Sequence, residues 1–156
     1  MNRHDLRDAL AHPNVAAFLK AIRLGEGTSD EAGYYRIVGG GTFTDDSRHP
    51  NVRVYIERYK VYSTAAGAYQ IIRPTWSGLV KQYGFADFSP ASQDEAAVAL
   101  IAGRAALADV KEGRFADAIE KCSMEWASLP GSQAGQRTEA FSDVLKVYVD
   151  NGGTVA

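Results

Sequence analysis

Asn14-Val15-Ala16-Ala17-Phe18-Leu19-Lys20-Ala21-Ile22-Arg23-Leu24-Gly25-Glu26-Gly27 is the stretch that decides the fold. Val15, Phe18, Leu19 and Ile22 follow the i, i+3, i+4, i+7 spacing of one buried helical stripe, with Asn14 as its cap. Gly27 suits the left-handed residue that ends a helix, which leaves Glu26 on the last turn. A carboxylate there faces unpaired carbonyls and the negative pole of the helix dipole, so its charged form is disfavoured. Partial burial acts in the same direction. The stretch therefore predicts a core helix that ends on a proton-donating carboxylic acid. An ordinary solvated Glu is the competing reading of that residue taken alone.

Outward from this helix the pattern divides the chain in two. Before it, His4 to Ala11 reads as a short helix, with Leu6 and Leu10 one turn apart and Pro13 as its stop. After it, from Thr28 to Tyr62, helical spacing disappears. Ile37-Val38 reads as a short strand before the breaker Gly39-Gly40-Gly41. Val52, Val54 and Ile56 alternate with Arg53, Tyr55 and Glu57, as in a half-exposed strand. Beyond this sheet lobe the chain is helical again. Pro74 opens a helix ending near Gly84, and Ser92 with Glu95 forms a capping-box pattern ahead of Ala96 to Val110. Phe115, Ala118, Ile119, Cys122 and Trp126 share one face before Pro130-Gly131, and a last helix carries Phe141, Val144, Leu145 and Tyr148. The expectation is one α+β domain over residues 1–156, a mainly helical lobe beside a small antiparallel sheet lobe.

Composition narrows the function. The 156 residues suffice for one domain with a real core, and the net charge of −2 gives no reason to expect nucleic acid. A single cysteine, Cys122, excludes an intrachain disulfide, and its place on an apolar face makes it a poor nucleophile. His4, His12 and His49 lack metal-ligand spacing, so no metal site is expected. Gly39-Gly40-Gly41 lacks the Lys of a phosphate loop. No apolar run reaches the length of a membrane span, and the polar Met1-Asn2-Arg3-His4-Asp5 is no signal peptide.

What remains is acid chemistry. Cleaving a glycosidic bond needs a proton donor to the leaving oxygen and a second group that handles the developing cation. Glu26 fits the first role. Asp30, Glu31, Asp45 and Asp46 are candidates for the second, and spacing alone does not choose among them. In peptidoglycan the muramic acid N-acetyl group can take that role, and the sugar's own C6 hydroxyl can then attack, closing a 1,6-anhydro ring. Tyr34, Tyr35, Phe43, Tyr55, Tyr59, Tyr62 and Tyr69 are dense around the sheet lobe, and ring faces suit sugar C–H groups. Packing of the lobe accounts for most of them. Ser63, Thr64 and Gln70 are short polar groups able to orient acetamido and hydroxyl groups, with turn formation as the alternative.

Ordered matches then point to a family. Glu26-Gly27-Thr28, Gly33-Tyr34, Ile37-Val38-Gly39-Gly40, Phe43-Thr44-Asp45, His49-Pro50, Ser63-Thr64, Ala66-Gly67, Tyr69-Gln70, Asp87-Phe88-Ser89-Pro90 and Trp126-Ala127-Ser128-Leu129-Pro130-Gly131 lie along the chain in order. With these residues the chain resembles the lambda-type phage endolysins, lysozyme-like lytic transglycosylases, over nearly its whole length. The resemblance implies a lysozyme-like fold with a groove between the lobes. It also implies cleavage of the β-1,4 bond between N-acetylmuramic acid and N-acetylglucosamine without a cofactor, by a catalytic Glu26. Residues Ser63 to Gln70 resemble the groove wall, and Tyr34, Asp45, Ser63, Thr64, Tyr69 and Gln70 are the expected substrate contacts. Ala68 departs from the family, which favours Arg there, so a charged groove contact is missing or supplied from elsewhere. Asp46 and Arg48 depart too, in a loop.

The expected protein is a monomer acting on peptidoglycan glycan strands. It accumulates in the host cytoplasm and reaches the wall through a separate membrane-disrupting holin. Two alternatives stay open: a hydrolytic muramidase with Asp45 as helper, and a non-catalytic glycan-binding module on the same fold.

Overall fold

The computed structural model describes residues 1–131 and 139–156. Two helices lead, α1 (Arg3–Leu10) and α2 (Pro13–Glu26), followed by a 3-10 helix over Glu31–Tyr35. The hairpin of β1 (Val54–Ile56) and β2 (Val61–Ser63) comes next. Helices α3 (Arg73–Tyr83), α4 (Pro90–Gly103), α5 (Leu107–Lys111), α6 (Phe115–Cys122) and α7 (Phe141–Asp150) complete the described chain.

The helix α2 runs through the middle of the core. Val15, Ala17, Phe18, Ala21 and Ile22 are fully buried, and α1, α4, α5 and α7 pack around it. Burying each large apolar side chain contributes roughly 1.5–3 kcal/mol. Phe18 meets Phe115 edge-on at 5.8 Å, and Phe115 in turn lies 4.5 Å from Tyr148 of α7. The chain end is tied to the same helix. The Thr154 N–H donates to Asn14 Oδ1 at 3.0 Å, and Ala156 N–H donates to the Gly113 carbonyl.

That bond explains one departure from expectation. Asn14 does not cap α2; its amide bridges Thr154 and the Lys111 carbonyl. His12 is the cap, its Nδ1 accepting from Asn14 N–H, and Pro13 opens α2 instead of stopping α1. A proline has no N–H to satisfy, so the first turn suits it. The capping box expected of Ser92 and Glu95 is also displaced. Ser89 caps α4 ahead of Pro90, the Ser92 hydroxyl donates to Asp87, and Glu95 pairs with Arg3 and Arg7 of α1.

The long helix expected from Ala96 to Val110 is two helices, because Ala105 adopts φ 56° between α4 and α5. Trp126 lies past the end of α6, where its indole N–H donates to the Tyr69 carbonyl at 3.0 Å. The sheet lobe is smaller than its alternation implies. Only Val54, Tyr55 and Ile56 pair, opposite Ser63, Tyr62 and Val61, between Asn51 at φ 50° and a turn with Lys60 at φ 50°. Ile37 makes a single bridge to Ala66, and positive φ at Gly39 and Gly40 ends it there. Cys122 is fully buried, and burial pushes its thiol up to about 12, away from reactivity.

Candidate active site

Glu26 is the last residue of α2. Gly27 follows at φ 71°, ψ 30°, and its N–H returns to the Arg23 and Leu24 carbonyls, so the helix stops with the acid on its rim. The turn beyond is held from below. Buried Arg23 donates to the Thr28 and Asp30 carbonyls, and the Thr28 hydroxyl donates to the Ala68 carbonyl at 2.5 Å. Glu26 is half-buried on a cavity of about 370 Å³ with Leu24, Ile56, Arg58, Tyr59, Ser128 and Glu139. The hairpin thus supplies one wall, and the segments at Ser128 and Glu139 supply the other.

Burial raises the Glu26 carboxyl from its ordinary 4.5 to about 7, and the Ser128 hydroxyl, 3.4 Å from Oε1, offsets part of this. The acid therefore keeps its proton to higher pH than an ordinary carboxyl. Ser128 can approach because Gly25 has no side chain: a Cβ there would lie 2.6 Å from Ser128 Oγ. Gly25→Ala should push that hydroxyl off Glu26 and raise the acid's pKa further. The expected result is a several-fold loss of activity and an alkaline-shifted pH profile, measured as kcat/KM against pH. An unchanged profile would show that Ser128 does not tune the acid.

None of the four acids suggested by spacing lines this cavity. Asp30 pairs with Arg36 at 2.9 Å, and Glu31 is exposed at the start of the 3-10 helix. Asp45 accepts from the Ser47 hydroxyl at 2.6 Å, and Asp46 accepts from Tyr35. The carboxylate on the wall is Glu139, whose N–H donates to the Ser128 carbonyl. Nothing near Glu26 in the sequence points to it.

The expected substrate contacts are spread more widely. Ser63 and Thr64 line a neighbouring cavity; their hydroxyl oxygens accept from the backbone N–H groups of Ala65 and Arg73. Among the described residues neither hydroxyl donates to a protein group. Gln70, at φ 48°, spends its amide nitrogen on the Arg36 and Gly67 carbonyls and lines a third cavity beside Trp126. Tyr34 and Tyr69 line a separate cavity with Arg23 and Asp94, both donating to Asp94 Oδ1, at 2.9 and 2.6 Å. Tyr69 is buried, and the Arg23 guanidinium lies 4.4 Å over the Tyr34 ring. Ala68 is also fully buried, its N–H held by Gln93 Oε1. Among the described residues no group of three or more His, Cys, Asp or Glu could hold a metal ion.

Comparison with known proteins identifies the family. A family model described as Endolysin matches residues 16–155. The endolysin of Escherichia phage lambda is 41% identical over 145 residues, covering 89% of this chain and 91% of that protein. The endolysin of Escherichia phage P2 is 39% identical over 160 residues, covering 93% and 96%. Among solved structures, bacteriophage lambda lysozyme complexed with a chitohexasaccharide superposes with a TM-score of 0.86 at 39% identity, covering 92% of this chain and 97% of that one. With that fold, that coverage and an acid at the rim of its core helix, the chain belongs to the endolysin family.

Proposed function

We propose that this protein cleaves the β-1,4 bond between N-acetylmuramic acid and N-acetylglucosamine in bacterial peptidoglycan, by lytic transglycosylation with Glu26 as acid and then base. The observation that carries the reading is a half-buried carboxyl, held up at about 7, on a cavity between the lobes. The sugar hexamer bound to the similar lambda lysozyme supports a glycan as ligand.

In the first step the Glu26 proton passes to the glycosidic oxygen, the bond from that oxygen to muramic C1 breaks, and the N-acetylglucosamine leaves with a free C4 hydroxyl. The N-acetyl carbonyl of muramic acid shares the positive charge at C1. In the second, the Glu26 carboxylate takes the C6 hydroxyl proton as O6 bonds to C1, which restores the acid and closes the 1,6-anhydro ring. The absence of Asp30, Glu31, Asp45 and Asp46 from the cavity wall favours a mechanism in which the substrate supplies the second group. Ser63, Thr64 and Gln70 are the proposed direct sugar contacts, and Tyr34 and Tyr69 position the wall through Asp94. Asp45 is assigned to the loop it stabilises through Ser47.

Glu139 supports a second reading. As a carboxylate on the same wall it can orient a water, giving hydrolysis and a reducing end. Mass spectrometry of digested peptidoglycan separates the two: anhydro-muropeptides are expected, and reducing ends alone would exclude transglycosylation. The pH profile follows from the same acid. The free enzyme must be protonated at Glu26 to react, so kcat/KM is expected to fall as pH rises through about 7. A profile flat from pH 6 to 9 would exclude Glu26 as the donor. Among the described residues no helix is long and apolar enough to cross a membrane. The reading also includes a monomer held in the host cytoplasm until a holin opens the membrane, testable by fractionation before lysis.

A further inference from the structure

Positive charge is concentrated in the sheet lobe and its flank. Residues 48–73 carry Arg48, Arg53, Arg58, Lys60 and Arg73 against one acid, Glu57, in a chain whose net charge is −2. None of these five cations is ion-paired among the described residues, whereas α1, α4, α5 and α7 all carry salt bridges. Instead, Arg53 lies 4.5 Å over the Tyr62 ring, and Arg73 Nε donates to Ser77 Oγ. Both contacts leave guanidinium N–H groups free to bind an anion.

Arg53 and Arg73 both line a cavity of about 350 Å³, with Tyr62, Ser63, Thr64 and Ile72 in its wall and no carboxylate among its lining residues. The hairpin relates it to Glu26. Its far end, at Ile56, Arg58 and Tyr59, lines the Glu26 cavity, while Arg53 lies three residues back along the strand. At the rise of an extended chain that separation is roughly 10 Å.

We propose that the Arg53–Arg73 cavity binds the carboxylates of the stem peptide carried by muramic acid, so that the enzyme reads the peptide as well as the sugar. The inference rests on peptidoglycan being the substrate. Muramic acid carries its acetamido group at C2 and its peptide-bearing lactyl ether at C3, side by side. The cavity offers the matching pair: Ser63 and Thr64 hydroxyls for the amide, and two guanidiniums for the acidic peptide beyond it. The site also answers the buried Ala68, because its cations come from the hairpin base and the start of α3.

Wild type and the R53Q/R73Q variant are compared on whole peptidoglycan and on glycan strands stripped of peptide by an amidase, with equal unfolding midpoints required of both proteins. The variant is expected to raise KM for the peptide-bearing substrate about 10- to 100-fold, with kcat and cleavage of stripped strands unchanged. An equal change on both substrates, or none on either, overturns the proposal. If wild type cuts neither substrate, the glycosidase reading falls, and calorimetry with the free stem tetrapeptide decides the cavity by itself. Binding that the variant loses supports it; no binding to wild type overturns it.

Discussion

Glu26→Gln is expected to lower glycan cleavage by roughly 10²–10⁴-fold, the usual contribution of a positioned general acid, while making the protein more stable at pH 8. The amide has nearly the same shape but no proton acidic enough to give. The stability gain follows from linkage. Glu26 has its pKa raised from 4.5 to about 7, so between those values the folded state binds more protons than the unfolded one. Stability is therefore lost as pH rises through that window, and above it the buried charge is a standing cost.

A tenfold change in proton affinity on folding corresponds to about 1.4 kcal/mol, and partial exposure of the side chain reduces the total to about 1–2 kcal/mol. For a protein of this size that is a rise in Tm of roughly 2–8 °C at pH 8, shrinking toward zero near pH 4.5. Paired melting curves at the two pH values measure it. Lysis of outer-membrane-permeabilised cells by the variant at the wild-type rate would remove Glu26 from the mechanism. A Tm difference independent of pH would show that the gain came from something other than the proton.

Gln93→Met is expected to be the most damaging change away from the acid. Gln93 is fully buried, and its one side chain joins three segments. Its Oε1 accepts from Ala68 N–H, and its Nε2 donates to the Tyr34 and Phe88 carbonyls. Methionine keeps the volume and leaves all three backbone groups without a partner. At about 1–3 kcal/mol for each unsatisfied buried group, the loss is about 3–9 kcal/mol, a large part of a typical domain's stability. Urea unfolding followed by tryptophan fluorescence gives the number. A loss below about 1 kcal/mol would mean that the neighbouring backbone finds other partners. Gly67 reports the same crowding, since a Cβ there would lie 2.3 Å from Gln93 Oε1.

These residues also mark what could be read from sequence. The stripe of α2 and the left-handed Gly27 behind Glu26 are local patterns, and the helix and its acid follow from them. The rest of the acid's environment is not local. Ser128 lies 102 residues from Glu26, and Glu139 lies farther along the chain. No period or spacing announces that a serine there will tune a carboxyl. The sequence instead offers Asp30, Glu31, Asp45 and Asp46 without choosing among them, and Arg36 and Ser47 occupy Asp30 and Asp45.

The aromatic cluster is visible in the sequence, but its division is not. Tyr59 faces the acid's cavity, whereas Tyr34 and Tyr69 turn to Asp94, a choice made by a carboxylate 60 and 25 residues away. Pro13 misleads for a local reason. The same missing N–H that breaks one helix begins another, and which applies depends on what His12 does.

The packing of α7 on α2, with Thr154 anchored to Asn14, ties competence to the order of synthesis. A ribosome makes Glu26 early and Ser128, Glu139 and the supporting α7 late. Until Ser128 and α7 have been made, the acid has neither its tuning partner nor its cover. A chain cut short before α7 is accordingly expected to leave the core helix, and the acid at its end, without support.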